Sequence, residues 1–387
     1  MLEMEKDKTY RIFISAAEPS ADAHCGNLIA ALKKTGFSID FVGVGGAKMA
    51  SAGCKLLENT AAKAAMTYKA FSEILRFYKL LSKIKHFFKS QKVDLVIVCD
   101  SPAFNFHVAK AAKKCGIKTL FYVAPQLWAW AAWRIEKLKK CCDKLCCLLP
   151  FEKEWFSQRG VDTVFVGNPL LDELPPDLNA GRKTYQDFKL KNAKIALMPG
   201  SRPAEIESLW RPMQQIAMRL RKKYPEIAFT TVAVDDKRVE VLKSTQLLGF
   251  RCKYDVGTVS NTAGRCDFSI VASGSATLQV AAAGCPMVIM YQSSKILWHL
   301  AGRWLVKTKY LSLVNILAGP LGAGTELVPE FMPYFSSIEP IVECIEQFLE
   351  DKSGLSQLSS ELIKLAEPMH RANASEKTAQ IITEMLA

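Results

Sequence analysis

One pattern recurs along the chain and limits its fold more than any other feature: a short apolar run without polar alternation, a turn of small or polar residues, then a helical pattern. In the first half the runs are RIFISAAE, FVGVGG, DLVIVCD, TLFYVAP, KLCCLLP and TVFVGN, most of them followed by helix-like segments. Non-alternating runs separated by helices belong to a parallel sheet covered on both faces, which predicts a Rossmann-like domain. At GNPLLDELPPDLNAGRK, residues 167–183, Pro, Asn, Gly and charge interrupt the pattern as a linker does, and the boundary is expected near Pro175. The pattern restarts with KIALMPGS, AFTTVAV, RCKYD, FSIVASGS and PMVIMYQ. The fold class is therefore α/β, with two doubly wound domains over residues 1–175 and 176–365 and a terminal helical segment over 366–387. Ligand is expected at the carboxyl ends of the strands, in an interdomain cleft.

A chain of 387 residues exceeds what one ordinary core serves, in keeping with two domains. Hydrophobic residues at 49% and charged residues at 23% exclude disordered and fibrous classes. Lys and Arg outnumber Asp and Glu by 51 to 38, so the partners to expect are anionic: nucleic acid, phosphorylated small molecules or an acidic membrane surface. The start MLEMEKDKTYRIFIS lacks the features of a signal peptide, and no apolar run approaches the ~20 residues of a span, so a cytoplasmic protein is expected. Twelve cysteines without an export signal point to reduced thiols. Four of them, Cys141, Cys142, Cys146 and Cys147, lack zinc-knuckle spacing and read as small apolar residues of a buried helix end and strand.

Residues 66–92, MTYKAFSEILRFYKLLSKIKHFFKSQK, place Lys and Arg among Phe, Tyr, Leu and Ile at helical spacing. This suits a membrane-interface helix and equally a helix packing one apolar stripe on a sheet. Phe71, Tyr78, Phe87 and Phe88 exceed one stripe, and KILWHLAGRWLVKTKY at 295–310 adds weak support for the membrane reading.

Two strand-to-helix turns suit phosphate. In ALMPGSRPAEIESLW, Gly200, Ser201 and Arg202 precede Pro203 at a helix start, where amides and a guanidinium meet an anion; Glu205 serves either a ribose or the helix dipole. In VASGSATLQVAAAGCP, Ser273, Gly274, Ser275, Ala276 and Thr277 offer amides and hydroxyls, or simply cap a helix. Asp100 ends the strand of VCDSPAFN, where a carboxylate acts as a general base or as an N-cap. The first loop, SAAEPSADAHCGN, gathers Glu18, Ser20, Asp22 and His24, the last equally readable as a surface helix residue. GVGG at 43–46 reads as close backbone packing, and no HExxH or GxSxG motif occurs.

Together AEPSAD, FVGVGGAKMASAG, CDSPAFN, YVAPQLWAW with Arg134, LPFE, FVGNPLLD, MPGSRPAEI, ASGSATLQVAAAGCPMVIMY and YLSLVNILAG resemble, in order, the lipid-A-disaccharide synthase family, inverting glycosyltransferases of the GT-B fold. The resemblance implies transfer of diacylglucosamine from its UDP derivative to diacylglucosamine 1-phosphate, with no cofactor and no divalent metal. It implies a site on the cytoplasmic face of the inner membrane, no nucleic-acid partner, and a homodimer as one possible assembly. Asp100 matches the catalytic base; Asn315 and Glu330 fall near the nucleotide with Arg202 and the 273–277 turn; Glu18, Ser20 and Asp22 match the acceptor-side loop. The chain departs from the family at Ala17 and Ala21, which replace glycines and restrict the backbone, at Asn168, which replaces a titratable His, and after Gly319, where residues are inserted. The alternatives are a non-catalytic or altered-specificity UDP-sugar binder at the membrane surface, and a soluble UDP-sugar epimerase or other GT-B transferase.

Overall fold

The first strand shows why the apolar runs do not alternate. Ile12 and Ile14 enter one core cluster and Phe13 enters another, because successive side chains leave opposite faces of a sheet covered on both sides. The computed structural model describes residues 8–60 and 70–387 apart from 173, 176, 182, 258 and 294–307. The chain divides into two units, Met1–Glu173 with Met369–Ala387, and Leu174–Pro368.

The first unit holds seven strands: β1 (Tyr10–Ala16), β2 (Ile39–Gly45), β3 (Lys55–Asn59), β4 (Leu95–Cys99), β5 (Lys118–Tyr122), β6 (Lys144–Cys147) and β7 (Thr163–Phe165). All pair in parallel, in the order β3-β2-β1-β4-β5-β6-β7. The order reverses between β1 and β4, so the loops after these two strands diverge and leave a crevice at their carboxyl ends. Gly43 packs where a Cβ would strike the Ile14 carbonyl oxygen, the close approach expected of GVGG.

Helix Ala70–Ser90 belongs to the basic aromatic segment. Leu80, Leu81, Ile84 and Phe88 are buried, and Phe88 meets Phe13 edge-on with ring centroids 4.9 Å apart. Phe87, half-buried, also packs on Phe13, at 5.8 Å, so Phe88 belongs to the core and Phe87 flanks it. Tyr78 stays 64% exposed and Leu75 52%, as the membrane-facing reading expects of residues on this helix. The side chain of Phe71 and most of segment 295–310 lie outside the described residues. Among the described residues no helix is long and apolar enough to cross a membrane.

The terminal helix Ala374–Leu386 packs in the first unit against helix Pro19–Lys33. Asp172 starts it by accepting from the amides of Ala374 (2.9 Å) and Ser375 (3.0 Å) and from the Ser375 hydroxyl (2.7 Å). Gly167 precedes this contact at φ +93°, and a Cβ there would meet Ala372 and the Met369 carbonyl at 2.6 Å. Cys141, Cys146 and Cys147 are buried, as small apolar residues are, and burial pushes all three thiols up.

The second unit repeats the plan with β8 (Lys194–Met198), β9 (Ala228–Ala233), β10 (Lys253–Val256), β11 (Phe268–Ala272), β12 (Met287–Met290) and β13 (Glu330–Phe331). They too are parallel, in the order β10-β9-β8-β11-β12-β13, with the reversal between β8 and β11. The two phosphate-type turns of the sequence are the loops after these two strands.

Candidate active site

In the first unit, strain marks the carboxyl edge. Asp100 and Ser101, which follow β4, have φ of +53° and +43°, and Val123, which follows β5, has φ of +71°. Non-glycine residues avoid this region, β-branched ones most of all, so three on neighbouring strand ends are held there by their surroundings. What holds the first two is Asn105, fully buried in helix Pro102–Lys114. Its Nδ2 donates to the carbonyls of Cys99 (2.9 Å) and Asp100 (2.6 Å), while its Oδ1 accepts from the Ser15 hydroxyl at 2.7 Å. Ser101 donates its hydroxyl to Glu18 at 2.9 Å, and its amide donates to the Asp100 carboxylate at 2.7 Å. Asp100 therefore does not cap the helix; Ser101 is the residue before its first turn, and Asp100 stands one position earlier in a fixed, half-buried turn.

Glu18 is thus brought to Asp100, and Ser20 is exposed beside it. Asp22 and His24 have other surroundings. Asp22 is buried, and its carboxylate accepts from the amides of Gly46 (2.7 Å), Lys48 (3.0 Å) and Met49 (3.1 Å), which fixes the turn after β2. His24 is not a surface residue: it is buried in its helix, and burial lowers its pKa to about 4 against a smaller opposing pull from Asp172. Ala17 and Ala21 have no positive φ, and Ala21 lies inside helix Pro19–Lys33, so the expected backbone restriction does not arise. Asn168 is buried as well; its Oδ1 accepts from the Leu170 amide at 3.1 Å and builds a turn without a proton role.

In the second unit, helix Pro203–Lys223 begins as its proline suggests, but the amides before it are occupied. The Glu205 carboxylate accepts from the amides of Ser201 (2.9 Å) and Arg202 (3.1 Å) and pairs with the Arg202 guanidinium at 3.3 Å. This corrects the expectation of an open cradle: the turn holds an anion of its own. Gly200, at φ +104°, permits it, since a Cβ there would lie 2.7 Å from that of Glu205. Arg202 remains 73% exposed and within reach of a ligand.

The second turn is more open. The Ser273 amide donates to the Met290 carbonyl (2.9 Å), and buried Thr277 turns its hydroxyl onto the Gly274 carbonyl (2.7 Å), a backbone role rather than a ligand one. Gly274 and Ser275 are exposed, and the amides of Gly274, Ser275 and Ala276 have no partner among the described residues. Asn315 and Glu330 are bonded to each other and to the loop around them. Asn315 is fully buried; it accepts from the amides of Leu327 (2.9 Å) and Val328 (3.0 Å) and donates to the Val328 carbonyl (2.8 Å) and to Glu330 (3.2 Å). Glu330 further accepts from the amides of Leu311 (2.9 Å) and Ser312 (3.0 Å). The pair braces the 311–330 loop on β13. In the stretch that begins at Gly319, a Cβ on Gly319 would strike the backbone of Gly324, and one on Gly324 would strike the ring of Tyr310.

Sequence reasoning passed over Asn105 and Glu152. Glu152, of LPFE, is 2% exposed; it accepts from Trp128 Nε1 (2.9 Å) and from the amides of Leu148 (3.2 Å) and Leu149 (3.1 Å), and burial pushes it up to about 7. For Glu152 the available signal was one polar residue inside an otherwise apolar motif; Asn105 shares its motif with Asp100 and Ser101 and carried no such signal.

Two doubly wound units, with a strained acidic turn on one and glycine-rich turns on the other, define an enzyme of the GT-B glycosyltransferase class. The fold is shared with the glycosyltransferase of kitacinnamycin (TM-score 0.61, 12% identity, covering 97% of this chain and 99% of that one). It is shared also with the UDP-GlcNAc 2-epimerase of Neisseria meningitidis (TM-score 0.60, 14% identity, 97% and 100%). Residues 12–385 match the model of the lipid-A-disaccharide synthetase family. Lipid-A-disaccharide synthase 1 of Legionella pneumophila is 34% identical over 94% of each chain, and the synthase of Geobacter metallireducens 30% over 97% of each. The chain belongs to the lipid-A-disaccharide synthetase family.

Proposed function

We propose that the chain transfers diacylglucosamine from UDP-2,3-diacylglucosamine to 2,3-diacylglucosamine 1-phosphate, giving the β-1,6-linked disaccharide 1-phosphate and UDP. Family membership supports this reaction. The observation that carries the assignment of a base is the turn at Asp100: a carboxylate in a strained pose, fixed from behind by buried Asn105 and from the side by Glu18 and Ser101. Asp100 takes the proton of the acceptor's 6-hydroxyl as its oxygen attacks the anomeric carbon. The bond to the UDP oxygen breaks in the same displacement, so configuration inverts. On the donor side, the amides of Gly274–Ala276 and the exposed Arg202 guanidinium stabilise the charge that develops on the leaving UDP. Glu18 supports the Asp100 turn, with Ser20 on the acceptor side.

The acylated substrates bring the protein to the cytoplasmic face of the inner membrane, where the exposed Leu75 and Tyr78 meet the bilayer with lysines of the same helix. Initial rates with a panel of acylated and non-acylated UDP-glucosamine donors test the substrate class. Asp100→Ala tests the base: turnover of the acylated donor as fast as in wild type would remove Asp100 from the chemistry.

A further inference from the structure

Glu152 has the wrong surroundings for a carboxylate that only starts a helix. It is buried, no cation among the described residues pairs with it, and its other titratable neighbour, the Cys147 thiol, is buried too and pushed up. Dry, unpaired carboxylates are costly, and a helix start is served as well by an exposed Ser or Asp. What this carboxylate does beyond capping is join two strand ends. Oε2 holds the amides of Leu148 and Leu149 after β6, while Oε1 holds the indole N–H of Trp128 after β5. Phe151 fixes the same indole edge-on, with ring centroids 5.0 Å apart. The segment so held starts at the strained Val123 and runs to Trp133, 64% exposed, and the half-buried Arg134. Because β4, β5 and β6 are consecutive neighbours about 4.8 Å apart, it leaves the same edge as the Asp100 turn, one strand away.

We propose that Glu152 is a positioning residue: through Trp128 it fixes segment 123–134 as the wall against which the acylated sugar-phosphate acceptor is held beside Asp100. This rests on the acceptor-side reading given above and names what holds that side in place. Glu152→Gln puts an amide where three donors converge, so at least one loses its acceptor; Trp128→Phe keeps the ring packing and removes the same bond.

Initial rates with donor and acceptor varied separately, together with UDP binding by calorimetry, test the proposal. Each variant is expected to raise KM for the acceptor about tenfold, the size of a lost charge-assisted hydrogen bond. Donor KM and UDP affinity should stay unchanged, and the double variant should be no worse than the poorer single one, because both remove one interaction. Equal rises in donor and acceptor KM, additive losses, or unchanged kinetics with a lowered melting temperature would each overturn it. Asp100→Asn in the same assays keeps the two readings apart. If it turns over normally while Glu152→Gln loses acceptor, the base assignment fails and the positioning role stands; the reverse result removes the positioning role alone.

Discussion

Replacing Asn105 by Ala should damage chemistry and stability together, and by amounts that can be worked from its contacts. The substitution strips the Cys99 and Asp100 carbonyls and the Ser15 hydroxyl of a partner, and Ser15, Cys99 and Asn105 are themselves fully buried. An unsatisfied buried group costs about 1–3 kcal/mol, and carbonyls that keep other partners fall at the low end, so roughly 3 kcal/mol in total is expected. The left-handed pair Asp100 and Ser101 stores on the order of 1 kcal/mol per residue, which relaxation recovers once the brace is gone. The gain from relaxation is the reason kcat should fall: the carboxylate moves, and a displacement of about 1 Å is enough for a loss near 10²-fold. Amide hydrogen exchange at β1 and β4 reads the stability of the first unit, initial rates read kcat, and UDP binding controls for the second unit. Loss of exchange protection with kcat within twofold of wild type would refute the idea that Asn105 sets the pose of Asp100.

Four further outcomes follow from the geometry. Glu205→Ala frees the amides of Ser201 and Arg202 and should raise affinity for UDP, by about threefold to tenfold on the scale of helix-terminus charge effects; unchanged or weaker binding in a UDP titration would seat the diphosphate elsewhere. Gly200→Ala forces a side chain into a left-handed position against Glu205 and should destabilise the second unit by about 1–3 kcal/mol, read by urea unfolding. His24, folded at about 4 against an unfolded 6.5, leaves the unfolded chain holding more protons between those values; stability should therefore fall by up to about 1.4 kcal/mol per unit as pH drops from 6.5 to 4, and less steeply in His24→Gln. Glu152, folded at about 7 against 4.5, acts in the opposite sense: stability falls as pH rises from 4.5 to 7, and Glu152→Gln removes that slope.

The strands that follow the apolar runs were legible, because such a run flanked by turns has few other uses; β1, β2 and β4 to β12 lie where those runs do. β3, half-exposed, and β13, two residues long, were not read, since an edge strand needs neither burial nor length once a neighbour offers its hydrogen bonds. The basic aromatic helix misled by count: Phe87 and Phe88 are adjacent in sequence yet both reach Phe13, because an aromatic ring can reach the core from the flank of a stripe. The polar site was legible as a set of loops, not as a set of roles. Whether Asp22 faces a ligand or the amides after β2 depends on a loop 24 residues away, and local sequence carries no trace of that.

The acidic residues of the motifs share one physical logic. Asp22, Glu152, Asp172, Glu205 and Glu330 each accept from two or more backbone amides, and each fixes a loop at or near the carboxyl end of a strand or the start of a helix. Turns at those positions present converging amides, which attract any anion, and an internal carboxylate satisfies them without waiting for a ligand. Motif membership therefore does not separate a group that meets substrate from one that builds the loop. Asp100 differs on a point that can be read from the backbone. Its carboxylate accepts from the adjacent Ser101 amide and no helix start depends on it, yet its own backbone is held in a conformation that only a dedicated brace maintains. A loop-building carboxylate relieves strain, whereas this one is kept strained by Asn105, and that asymmetry is the physical ground on which the proposed proton transfer is given to Asp100 rather than to any of the other five.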